Sequence, residues 1–236
     1  MSGKSPPPPL IQRVLSSASG LFSDHSAQPI PASDLPDFRD RLKGLYELVS
    51  RLRDTDLGLH HSHAIHHESG SVNIDRSTRS RSPVVYVNLY EDRVITVGVF
   101  IIRPGQKIPL HNHPKMFGML KCVHGRLDIV SYSRLPEAAL QAVSAQFSAE
   151  FKRKYLHLIL DGSLVPAVKQ VVSGIDAAAA PSLLDAVNGN YHEVRAAKTP
   201  GGKDAPAAFL DILSPPYREL EEDEIHYNSE GTLSFP

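Results

Sequence analysis

The stretch Gly105-Gln106-Lys107-Ile108-Pro109-Leu110-His111-Asn112-His113-Pro114-Lys115-Met116-Phe117-Gly118 sets two histidines one residue apart in a β-forming context. On an extended strand, residues i and i+2 project from the same face, so His111 and His113 can aim two imidazoles at one point. The glycines have a fixed rhythm around the pair. Five residues separate Gly105 from His111, four separate His113 from Gly118, and six more lead to Gly125. Upstream lie the β-branched runs Val84–Val87 and Val94–Ile102, the second closed by the turn Arg103-Pro104-Gly105. Downstream, Met119–Val123 and Leu127–Tyr132 flank His124-Gly125, a spacing that predicts a hairpin with glycine in the turn. Many short strands in succession predict a mostly β chain, an antiparallel sandwich or barrel.

The flanks read differently. After Pro6–Pro9, the residues Leu10, Ile11, Val14, Leu15, Ala18 and Leu21 recur at helical spacing up to Phe22. A second apolar face, Phe38, Leu42, Leu45, Tyr46, Val49 and Leu52, predicts a helix to about Arg53, with Ser33 and Asp34 as candidate caps. Residues 54–82 are polar and aperiodic and read as a loop. Between Pro136 and Leu160, Phe147, Phe151, Tyr155 and Leu158 fall at helical intervals, which predicts an inserted helix over about 136–160. An Ala-rich linker, a turn at Asn188-Gly189, a strand through Val194, a loop at Gly201-Gly202 and the apolar run Ala207–Leu213 follow. The expected organisation is an N-terminal helical extension and polar linker over 1–82, then one β domain over 83–236.

Composition narrows the function classes. With 25 basic and 26 acidic residues among 236, the chain lacks the field that drives binding to nucleic acid or a membrane surface. A small-molecule or peptide substrate fits better. No window reaches the ~18 apolar residues of a transmembrane helix. The lone Cys122 forms no internal disulfide and no signal peptide is legible, so a cytoplasmic protein is expected. Cys122 itself reads as a buried apolar thiol rather than a nucleophile.

The histidine pair with its glycines resembles the first motif of the cupins, except that the usual glutamate is missing and Gly118 stands near its place. A mononuclear site needs a third protein ligand. The best downstream candidate is His192 in Asn188-Gly189-Asn190-Tyr191-His192-Glu193-Val194, which keeps the glycine-x-x-histidine core of a second cupin motif. Imidazole in place of a carboxylate leaves an Fe²⁺ site two units positive, which favours an anionic thiolate ligand. The cluster His60, His61, His63, His66 and His67 sits in the polar stretch and reads as a solvated segment rather than a preorganised metal site.

Two longer segments make a more specific likeness. Pro109–Pro114 with Gly118–Lys121, and Ala208–Tyr217, together resemble the cysteamine dioxygenase and plant cysteine oxidase family of thiol dioxygenases. The resemblance covers roughly residues 84–132 and 185–228. It implies a cupin-type antiparallel β-barrel (a double-stranded β-helix) with N-terminal helices and an inserted helix. One Fe²⁺ per chain on His111, His113 and His192, with O₂ as co-substrate, is also implied, as is a monomer. The implied reaction turns cysteamine into hypotaurine, or the N-terminal cysteine of a peptide into its sulfinic acid; both substrates stay open, and with the second a role in oxygen sensing.

Asp211 matches a family acidic residue near the substrate amine, and Tyr217 and Tyr227 match tyrosines that line the same pocket. Animal members carry a cysteine two residues before the second tyrosine, which can become crosslinked to it. This chain has Ile225 there, so no crosslink is expected. No organic cofactor or external reductant is required by the implied chemistry. The alternatives are another cupin reaction on the same histidines, or a metal-binding cupin without catalysis.

Overall fold

A computed structural model describes residues 6–23, 40, 42–59, 82–160, 162–185 and 187–216. Among the described residues nine strands run in the order β1 Val84–Glu91, β2 Thr96–Ile102, β3 Lys107–His111, β4 Phe117–His124, β5 Arg126–Arg134, β6 Ala167–Asp176, β7 Ser182–Leu184, β8 Tyr191–Ala196 and β9 Ala207–Ser214. They form two antiparallel sheets, one of five strands ordered β1-β2-β9-β4-β7 and one of four ordered β3-β8-β5-β6. The two sheets pack face to face as an antiparallel barrel around a shared interior.

Burial explains why the strands read as they do. In the four-stranded sheet, β8 and the first half of β5 alternate buried and half-buried positions, as expected when one face meets the interior and the other meets water. In the five-stranded sheet, β9 is buried at every position and β4 at all but the last. Both of its faces are covered. On the inner face Leu120, Cys122 and Phe209 pack with Leu127, Ile129 and Val194 of the other sheet.

On the outer face Met119, Leu210 and Ile212 pack with Val14, Ala18 and Phe22 of α1 (Leu10–Phe22) and Leu45 and Val49 of α2 (Lys43–Ser50). The amino-terminal helices therefore share a core with the sheet. Polar contacts fix them: Ser19 Oγ donates to Asp92 Oδ2 at 3.1 Å, and His124 Nδ1 lies 2.9 Å from Asp54 Oδ2. The helix predicted from Leu10 to Phe22 forms over those residues. The second helix ends at Ser50, near the expected end at about Arg53, while its expected start at Phe38 and its candidate caps Ser33 and Asp34 lie outside the described residues.

Three local expectations are corrected. First, β4 and β5 do not pair as a hairpin: β4 bonds to β9 and β7, while β5 bonds to β8 and β6. Gly125, at φ 68°, carries the chain across from one sheet to the other. Second, the inserted segment is two helices, α3 Glu137–Ser144 and α4 Ala149–Leu160. The break falls where the Ser148 hydroxyl accepts from the Phe151 N–H at 3.1 Å and starts a new helix. Third, the stretch expected to be an Ala-rich linker contains β6 and β7. Most of β6 is exposed because it is the edge strand of its sheet, so its pattern lacks the apolar alternation of a half-buried strand.

Candidate metal centre

Antiparallel pairing of β3 with β8 places His111 directly opposite His192. His113 follows two residues later, where the chain leaves β3 for a turn closed by the Met116 N–H on the His113 carbonyl. The three imidazoles thus come from two distant segments, and their ligand atoms all lie within 4.8 Å of one another. Their ring centroids are separated by 4.4 Å (His111–His192), 4.9 Å (His111–His113) and 5.0 Å (His113–His192).

The backbone fixes the tautomers. His111 Nδ1 lies 2.8 Å from the Pro109 carbonyl and His192 Nδ1 lies 3.3 Å from the Gly189 carbonyl. A carbonyl can only accept, so each Nδ1 carries the proton and each Nε2 keeps its lone pair. Burial holds all three rings neutral. It lowers His111, drives His113 well below the usual imidazole range with help from its two neighbours, and takes His192 down to about 3. Three neutral nitrogen donors in one buried cluster suit a divalent transition-metal ion.

Asn190, which the sequence reading passed over, holds the third donor. Its Oδ1 accepts from the His113 N–H at 3.0 Å, and its Nδ2 donates to the carbonyls of His113 (2.9 Å) and Asp185 (3.2 Å). The signal was present two residues before His192, but a buried asparagine clamping a remote backbone has no local pattern.

Asp211 sits on β9 opposite Gly98 and Leu120, on the face that carries Phe209 into the interior. Burial pushes its carboxyl up to about 7, and its Oδ1 meets no hydrogen-bond partner among the described residues. Such a group is poised to accept from a ligand. The Tyr86 ring lies on Gly98, where a Cβ would stand 2.2 Å from Tyr86 Cε2, and it contacts Phe100 at 4.8 Å. Burial raises the phenol's pKa, with the charges of Glu91 and Asp211 adding to it. Sequence reading missed Tyr86 because an edge-strand tyrosine looks like ordinary packing.

A cavity of about 310 Å³ opens beside His192, lined among others by Ser131, Ser133, Gln170, Val172 and Leu184. A larger hollow of about 580 Å³ runs along α1, but Gln12, Ser16, Ser19 and its other lining residues include no metal-ligating group.

The sequence pattern of PCO_ADO matches residues 48–234. The chain belongs to the PCO_ADO family. It is 29% identical over 233 residues to the 2-aminoethanethiol dioxygenase of Homo sapiens, covering 92% of this chain and 79% of that one. It is 24% identical over 226 residues to plant cysteine oxidase 1 of Arabidopsis thaliana, covering 96% and 64%. Among solved structures it is similar to an RmlC-like cupin protein from Desulfovibrio desulfuricans at 16% identity, covering 64% of this chain and 99% of that one with a TM-score of 0.33.

In this PCO_ADO chain the position without the cupin glutamate is filled from another strand. A Cβ on Gly118 would stand 2.7 Å from Leu184 Cγ, so β7 occupies the space a longer side chain would enter. The expected pocket tyrosines Tyr217 and Tyr227, and the cluster His60–His67, lie outside the described residues. Cys122 is buried in the interior, and burial pushes its thiol up to about 12, which leaves it an inert apolar side chain. Among the described residues no helix is long and apolar enough to cross a membrane.

Proposed function

We propose that this chain is a non-haem iron thiol dioxygenase that takes cysteamine or an N-terminal cysteine to the sulfinic acid. The observation that carries the reading is the meeting of half-buried His111 with buried His113 and His192 in a cluster that includes no carboxylate among the described residues. The naming of relatives as aminothiol and cysteine oxidases supports the same chemistry and disfavours a metal-binding module without catalysis.

Fe²⁺ bound by the three histidines would supply the redox step between thiolate sulfur and O₂. The chain's own groups do the rest. Neutral imidazoles leave the ion's charge uncompensated, which favours a thiolate over a neutral ligand. The Pro109 and Gly189 carbonyls hold two of the rings with Nε2 inward. Asp211 accepts from the substrate amine, since ionised it can form a charge-assisted bond that its buried Oδ1 lacks among the described residues. Tyr217 and Tyr227 would hydrogen-bond the oxygens as they arrive on sulfur. The apolar interior around Leu120, Cys122 and Phe209 limits competing water. The balance is RSH + O₂ → RSO₂H: sulfur loses four electrons, O₂ gains them, and no outside reductant enters. On this reading the protein works as a monomer in the cytoplasm, and slow response to O₂ would make it an oxygen sensor.

Anaerobic loading with Fe²⁺, followed by ¹⁸O₂ with cysteamine and with a Cys-initiated peptide, tests this. One product should gain two labelled oxygens. Loss of the reading would follow from no oxygen uptake with either substrate, or from unchanged uptake after His192→Ala.

A further inference from the structure

Pairing across the four-stranded sheet builds a row that starts at the metal cluster. His192 on β8 is opposite Ser131 on β5, and Ser131 is opposite Gln170 on edge strand β6. Ile129, two residues along β5 and so on the same face, packs in the interior, which puts Ser131 and Gln170 on the inner face. All three line the cavity beside His192, which the short strand β7, the edge of the other sheet, closes with Ser182–Leu184. The cavity is therefore a slot between two sheet edges, with a metal ligand at its floor and a polar track up one wall.

Its size and lining do not suit an aminothiol alone. At about 310 Å³ it falls in the range that holds drug-sized ligands, and a molecule of a few heavy atoms would leave most of it empty. Two strand spacings separate His192 from Gln170, about 10 Å, which an extended chain covers in about three residues. Ser131, Ser133 and Gln170 offer donors and acceptors that any peptide backbone can use, while Val172 and Leu184 give apolar walls to its side chains.

We infer that the slot between β6 and β7 is the docking track for a Cys-initiated peptide, with Ser131 and Gln170 hydrogen-bonding the residues that follow the cysteine. The inference rests on the thiol dioxygenase reading and adds the residues that hold the chain beyond the cysteine, Ser131 and Gln170. Recognition through backbone groups makes the track tolerant of sequence and sensitive to length. Edge strand β6, whose Val168, Val171 and Val172 are exposed, is where the peptide leaves the protein.

Oxygen uptake by the iron-loaded protein, with Cys-initiated peptides of one to six residues and with cysteamine, is the test. The expected kcat/KM climbs until about three residues follow the cysteine and then levels off. Gln170→Ala, checked for iron content and circular dichroism, should lower kcat/KM of the long peptides about two- to tenfold and flatten the climb. Hydrogen exchange of the anaerobic iron-loaded protein supplies a readout independent of turnover: a five-residue peptide should slow exchange in residues 167–176, and cysteamine should not. Equal kcat/KM at every length, or unchanged exchange in β6, overturns the track while leaving the dioxygenase reading intact. No turnover of any thiol overturns both.

Discussion

His111 and His192 are direct cross-strand partners of β3 and β8, with their ring centroids 4.4 Å apart. Sheet pairing rather than loop conformation thus sets the distance between two histidines that are eighty-one positions apart in sequence. A site built on a ladder is held by the backbone bonds on either side of it. His192→Ala should keep the fold, because those bonds survive, and reduce iron affinity by more than the ~100-fold ceiling of an outer-shell change. Iron per chain after desalting checks this. Stoichiometric iron in the variant would remove His192 from the ligand set.

Asn190 is the remote brace of the site. Asn190→Ala removes the acceptor that Asn190 offers the His113 N–H and the donor that it offers the His113 and Asp185 carbonyls. Loss of three buried hydrogen bonds should cost about 2–4 kcal/mol of stability in total. Iron affinity should fall about tenfold as His113 loses its position. Asn190→Asp keeps the acceptor but loses both donors, so it should recover only part of each loss. Urea denaturation and iron titration read the two effects separately, and equal affinity in all three proteins would make Asn190 a packing residue only.

Asp211 makes stability depend on pH in a definite direction. Its folded pKa of about 7 lies above the ordinary carboxyl value of 3.8 because burial disfavours the ion. The native state therefore holds a proton that the unfolded chain releases, and stability from this group is full below about pH 3.8. It declines as pH rises towards 7 and is constant beyond, a loss of at most about 4 kcal/mol. The buried histidines act oppositely: their folded pKa values are depressed, so their contribution is present above the ordinary 6.5 and lost as pH falls. Comparing metal-free Asp211→Asn with the parent isolates the carboxyl. The variant should gain relative to the parent between pH 4 and about 7.5 in urea denaturation, and parallel pH profiles would contradict the assignment.

The two-segment histidine cluster was legible because strand alternation and glycine spacing are local, and His111-Asn112-His113 states both within a few residues. Pairing partners were less legible. Met119–Val123 and Leu127–Tyr132 have the composition of a hairpin, and nothing local says that each strand prefers a distant partner. β6 escaped notice for the opposite reason: Val168, Val171 and Val172 are exposed at a sheet edge, so its apolar residues mark no buried face. The run Val94–Ile102 carried a further message. Continuous apolarity signals burial on both faces, and it is α1 and α2 that cover the outer one.

Gly125 is where the crossing between sheets can be broken. Its φ of 68° lies in the left-handed region, which costs an L side chain roughly 1–2 kcal/mol. A Cβ there would also stand 2.3 Å from the Pro206 carbonyl oxygen and 3.0 Å from Ala207 Cα. Those atoms are backbone leading into β9, the strand that carries Asp211, so they cannot swing aside as a side chain would. Gly58 provides the control: its φ is 69°, but a Cβ there meets nothing within 4 Å among the described residues. Gly58→Ala should cost only the dihedral term, about 1 kcal/mol, whereas Gly125→Ala adds overpacking and should cost about 3 kcal/mol or more. For a chain of this size the second change lowers Tm by roughly 6–12 °C. Calorimetry of the two variants separates conformational strain from steric conflict, and equal shifts would mean that β9 yields at Pro206 without resisting the crossing.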